Sequence, residues 1–116
     1  MKSDCYFIQP VQLLGCFLLS MMKKNVKGIS LDELMRISSK FDDGIRIRYE
    51  DNLDAMRDSL EYIVSTCSLF NLFLDHGRYT IEVSDYATKD EIEYLLTCTI
   101  DTKIKNEMCK IIEQNL

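Results

Sequence analysis

A chain of 116 residues, 47% hydrophobic and 28% charged, is long enough for one packed domain and too short for two that each bury a core. A single proline and four glycines, with no biased run, exclude long disordered or low-complexity stretches. The net charge of −5 sets the surface against phosphate backbones on average, so general nucleic-acid binding is disfavoured. That charge is unevenly spread. Residues 1–57 hold nine Lys/Arg against eight Asp/Glu, a net of +1, whereas residues 58–116 hold five against eleven, a net of −6.

The five cysteines, Cys5, Cys16, Cys67, Cys98 and Cys109, form no close pair and are odd in number. A disulfide framework wants an even count, and a zinc site wants close Cys or His pairs. Four of the five lie in apolar runs, where a free thiol behaves as a small hydrophobe. Reduced, buried thiols and a cytoplasmic location are therefore expected. From Cys5 to Met22 the chain carries no charge, but Gln9, Pro10 and Gln12 interrupt it. The strongly apolar part, Leu13 to Met22, is too short to cross a bilayer and lacks a small-residue cleavage site, so a core helix is expected and no membrane contact.

Pro10 suits the first turn of that helix, which runs to about Asn25 and ends in Lys23-Lys24, a pair that complements the negative end of the helix dipole. Its apolar residues lie nearly all round, the mark of a central helix or one shared with a partner. Gly15 leaves room for a neighbour's close approach. After Gly28, the sequence Ser30-Leu31-Asp32-Glu33 is a capping box that opens a short amphipathic helix to about Lys40, with Phe41 closing it. Ile45 to Tyr49 alternates as a half-buried strand does, with Arg46 and Arg48 on one face. A third helix follows, capped by Asp51 or Asn52. It has Leu53, Met56, Leu60, Ile63, Val64 and Cys67 at helical spacing, and Asp54, Arg57, Asp58 and Glu61 on its exposed face.

Leu69–Leu74 and Arg78–Val83 flank Asp75-His76-Gly77, where Gly77 supplies the positive φ of a tight hairpin loop. Thr88-Lys89-Asp90-Glu91 is a second capping box, and Asp101 is placed to cap a last helix. The β-branched run around Thr97 to Thr102 leaves residues 89–115 readable as one helix or as two broken near Thr99–Asp101.

Helix, helix, short strand, helix and hairpin, from Val11 to Val83, is an order that resembles a winged helix-turn-helix. The expected fold is α+β, mainly α: a winged-helix-like domain with a β-hairpin wing over residues 1–87. A C-terminal helical extension over 88–116 packs on that domain or on a partner. The strand at 45–49 is expected to join the hairpin in a three-stranded sheet, which outlasts a lone hairpin in water.

In winged helices that read DNA, the third helix enters the major groove with Arg, Lys, Asn or Gln. Here residues 50–61 set five acids against one arginine, so groove insertion is unfavourable and this face, Asp54, Arg57, Asp58 and Glu61, is expected to meet protein. Lys23, Lys24, Lys27, Arg46 and Arg48 are the candidates for nucleic-acid contact, with a solvated surface as the plainer reading. Catalysis finds no support. His76, the lone histidine, sits on a hairpin tip, and no phosphate loop, metal-spaced pair or serine nucleophile motif occurs. Neither cofactor nor metal is expected.

The run Gln9-Pro10-Val11 into a long apolar helix, Leu31-Asp32-Glu33-Leu34, Ile47-Arg48-Tyr49 leading into Leu53, Met56, Leu60 and Ile63, and a hairpin with Tyr79-Thr80-Ile81 together resemble the small middle subunits of bacterial three-component ABC-ATPase defence systems. The resemblance implies a winged-helix-like adaptor that bridges a large SMC-like ATPase and its effector against phage or plasmids. A non-enzymatic interaction subunit, partnered by a large ATPase or by a second copy, is thus the leading expectation. A dimeric winged-helix transcriptional regulator and a small acidic inhibitor or immunity protein are the alternatives.

Overall fold

The computed structural model describes residues 6–41, 45–47, 53–64 and 68–116, and the elements run β1 (Tyr6–Ile8), α1 (Pro10–Lys23), β2 (Gly28–Ser30), α2 (Leu31–Ser38), β3 (Ile45–Ile47), α3 (Leu53–Val64), β4 (Phe70–Asp75), β5 (Arg78–Val83), α4 (Lys89–Thr99) and α5 (Thr102–Asn115). The chain is α+β and mainly helical. Among the described residues, no helix is long and apolar enough to cross a membrane.

α1 is the centre of the molecule. Every residue from Leu13 to Met21 is buried, which follows from a sequence apolar on all sides. Pro10 occupies its first position, and the Gln9 N–H donates to Gln12 Oε1 at 2.9 Å. Helices α4 and α5 both pack on α1. Gly15 is what lets α4 come so near: a Cβ built there would stand 2.9 Å from Leu96 Cδ2 and 3.3 Å from its Cγ. Leu96 is itself fully buried, so it has little room to retreat. Ile92 and Ile100 of the α4 segment, with Met108 and Ile112 of α5, join the same core.

Residues 89–115 are two helices. Ile100 adopts an extended conformation, and Asp101 caps α5 by accepting from the Lys103 N–H at 2.8 Å. At the start of α4, Thr88 and Glu91 make the reciprocal capping box. At α2 only half of the box forms. Ser30 Oγ accepts from the Glu33 N–H at 3.1 Å, but the Glu33 carboxylate turns to Arg36 one turn on. That ion pair holds the Glu33 carboxyl below the usual carboxylate range. Lys40 Nζ then reaches Asn115 Oδ1 at 2.9 Å and ties the end of α2 to the end of α5.

The sheet differs from the expected one. The hairpin β4–β5 has its third strand in β2, antiparallel to β5, in the order β2-β5-β4. The strand at 45–47 pairs elsewhere: β3 lies parallel to β1, with Ile45 opposite Tyr6 and Ile47 opposite Ile8. β2 escaped sequence analysis because three residues carry no alternation to read, and because Ser30 doubles as the cap of α2. Asp51 and Asn52, the proposed caps of α3, lie outside the described residues. The hairpin forms as expected, but Asp75 belongs to the strand, opposite Arg78, so the loop is the two residues His76 and Gly77 rather than three. His76 and Gly77 both take positive φ, 51° and 77°, as a tight loop matched to the strand twist requires. Phe70 and Ile81 point into the core.

Gly15→Val is expected to destabilise the fold by about 1–3 kcal/mol, because the added methyls must displace Leu96 in a close-packed contact. Urea unfolding followed by circular dichroism measures this, and an unchanged midpoint would contradict the packing.

Candidate functional sites

Two surface concavities lie against the two ends of α1. The first is a groove of about 440 Å³ between the first turn of α1 and one side of α3, lined by Pro10, Val11, Asp58, Tyr62 and Ile63 among others. α3 buries Met56 and Leu60 in the core, and this fixes its outward face by helical periodicity. Tyr62 is consequently 73% exposed, a large aromatic with its ring in solvent, and Ile63 is only partly covered. β1, which leads into the same turn of α1, exposes Phe7 at 62%.

The four residues expected to meet protein all sit on α3, where Asp54, Asp58 and Glu61 are exposed. Arg57 is already engaged. Its guanidinium pairs with Asp58 at 3.1 Å and Asp54 at 3.5 Å, and it lies over the Tyr79 ring at 5.7 Å from the centroid. The hydrogen bond to Asp58 and the neighbouring carboxylates raise the Arg57 pKa further, so this cation stays charged and locally spent. What the face offers a partner is acidic, and it borders a groove of mixed lining, with Pro10, Val11, Tyr62 and Ile63 beside Gln9, Asp58 and Ser59. Sequence analysis marked the acids but missed Tyr62 and the groove. The exposed aromatic was legible in principle, since Tyr62 falls off the apolar stripe of Met56, Leu60 and Ile63.

The second concavity, of about 450 Å³, lies where the C-terminal turn of α1 meets α5. Lys23, Lys24 and Lys110 stand on its walls, with Glu113 beside them. Lys23 Nζ is 3.9 Å from Glu113 Oε2. Cys109 also lines it and is only 6% exposed, while Cys16 behind it on α1 is fully buried. Both are free thiols. They share a hydrogen bond, and the pair divides the tendency to ionise. Donation from Cys16 pulls Cys109 down to about 7, helped by the Ser20 hydroxyl and Lys23, whereas that same bond and burial push Cys16 well above the ordinary thiol range.

The structure gathers the candidate nucleic-acid residues only in part. Lys23 and Lys24 close the last turn of α1 and share the second concavity with Lys110 of α5. Lys27 is exposed just before β2, and its carbonyl accepts from the Val83 N–H at 3.0 Å. Arg46 stands on β3 opposite Phe7, on the strand pair that leads into the first turn of α1, a helix about 20 Å long. Arg48 lies outside the described residues. Among those described, no group of three or more His, Cys, Asp or Glu is placed to hold a metal ion.

The alkylation rate of Cys109 by iodoacetamide should rise with pH through an inflection near 7, where an ordinary thiol would still be mostly protonated. The sign follows from a depressed pKa: the reactive thiolate is present above it and lost below. Peptide-resolved mass spectrometry reads the rate, and an inflection at or above 8.5, the ordinary cysteine value, would contradict the assignment.

No protein-family model, no curated protein and no solved structure matches this chain, so the chemistry of its own surfaces has to carry any functional reading.

Proposed function

We propose that the chain is a winged-helix variant that works as a non-enzymatic protein-interaction subunit, docking through α3 and the groove beside it. The winged-helix reading is supported by the order α1, β2, α2, β3, α3, β4, β5, in which β2 completes the sheet of the hairpin while β3 pairs with β1 outside it. In that reading α4 and α5 are the C-terminal extension, laid on α1. The observation that carries the function is the combination on α3 of exposed Asp54, Asp58 and Glu61 with the groove at Tyr62. The apolar part of the groove contributes affinity to a protein partner, and the exposed acids of α3, of which Asp58 lines the groove, favour one that brings Lys or Arg. The same carboxylates repel a phosphate backbone, so docking of α3 in a DNA groove is disfavoured. A bridge between a large SMC-like ATPase and an effector, implied by the sequence resemblance, is the specific form of this proposal.

The test is affinity purification of the tagged chain from the cells that express it, with quantitative mass spectrometry of what it retains. Reversing Asp54, Asp58 and Glu61 together to lysine should reduce recovery of the specific partner about tenfold or more. The variant's far-UV circular dichroism should be unchanged, because all three side chains are exposed. Equal recovery by the folded variant would refute the assignment, as would salt-dependent DNA binding lost with these three acids.

A further inference from the structure

We propose that Cys109 and Cys16 form a redox-active dithiol: Cys109 reacts with a small acidic disulfide of the glutathione class held in the lysine-walled pocket between α1 and α5, and Cys16 closes the bond behind it. Three features of the structure point this way. Cys109 lines a cavity that opens to the surface, whereas Cys16 is fully buried and in hydrogen-bond contact with it across the helix interface. One sulfur is thus placed to meet a reagent and the other to meet only its neighbour, the division of labour between an attacking and a resolving thiol. The pocket walls carry Lys23, Lys24 and Lys110 against Glu113, and Glu113 is engaged by Lys23. The remaining cations favour an anionic reagent over a neutral one. Finally, Ser20 lies one turn after Cys16 on α1, and its buried hydroxyl has no hydrogen-bond partner by distance and angle. Such a group is costly to bury. A charged Cys109 sulfur would offer that hydroxyl an acceptor.

The chemistry balances in two exchanges. The Cys109 thiolate attacks one sulfur of the oxidised reagent, its S–S bond breaks, and one thiolate leaves and takes up a proton. Cys16 then gives up its proton and attacks the Cys109 sulfur, expelling the second reagent thiol. Two electrons pass from the protein dithiol to the reagent, leaving one protein disulfide and two reduced small thiols. Closing the bond brings the two sulfurs to about 2 Å, which α5 and α1 must allow by moving against each other.

The test uses the full reduced chain with oxidised glutathione at neutral pH, read by intact mass and by peptide mapping without reduction. The wild type should lose two hydrogens and yield a Cys16–Cys109 cross-linked peptide. Cys16→Ser should instead accumulate a glutathionyl adduct at Cys109, and Cys109→Ser should form neither product. Lys24→Glu with Lys110→Glu should slow the reaction with glutathione disulfide about tenfold or more while leaving that with uncharged hydroxyethyl disulfide little changed. Persistence of the Cys109 adduct in the wild type, or modification of other cysteines ahead of Cys109, would overturn the proposal. Equal rates for the lysine variant and the wild type with both reagents would remove the acidic-disulfide assignment.

Discussion

Nine consecutive residues of α1, Leu13 to Met21, have to be kept from water on every side of a single helix. An ordinary amphipathic helix buries one stripe and needs one neighbour. This one needs a ring of them, and the rest of the chain supplies it, with α3 and β5 against parts of it and α4 and α5 against the remainder. A buried Leu, Ile, Met or Phe contributes about 1.5–3 kcal/mol relative to exposure, so leaving the α4–α5 side open would forfeit several such terms at once. The C-terminal helices are therefore part of what makes α1 stable as a core element. Gly15 sets the distance of closest approach on that side, and Leu96 fills it.

The same helix arranges the surface chemistry. Its first turn, begun by Pro10, meets α3 and forms one wall of the groove that Asp58 and Tyr62 line. Its last turn, ending at Lys23, meets α5 and forms a wall of the lysine-lined pocket. Lysines there complement the partial negative charge of the α1 C-terminus, and Lys23 acts on Cys109 with positive charge that Glu113 opposes. A chain of net charge −5 thus presents two different concavities, one lined by Asp58 with apolar and neutral residues and one carrying three lysines and Glu113, at the two ends of one buried rod.

Much of this was legible in the residues. Thr88 with Glu91 announced the start of a C-terminal helix and Gly77 announced the hairpin, whereas the residues left open whether 89–115 is one helix or two and whether α1 is central or shared with a partner. Both of those signals rest on local geometry spanning a few residues, which sequence carries directly. What stayed hidden depends on long-range pairing. β2 is too short to show a period, and its partner β5 lies far along the chain. β3 was legible as a strand, yet its pairing with β1 is a tertiary choice that alternation does not encode. The Cys16–Cys109 contact is of the same kind, since each thiol reads alone as a small core hydrophobe until α5 is laid on α1. The acidic face of α3 was read correctly as a face, but the groove beside it exists only because the first turn of α1 stands opposite.

Native-state hydrogen exchange along α1 tests the central claim most directly. If this helix is the core that every other element covers, the amides of Phe17 to Met21 should be among the slowest in the protein and exchange only through global unfolding, with a denaturant dependence equal to that of the equilibrium transition. Exchange of those amides through a smaller opening, with α4 and α5 releasing α1 while the rest stays folded, would contradict it.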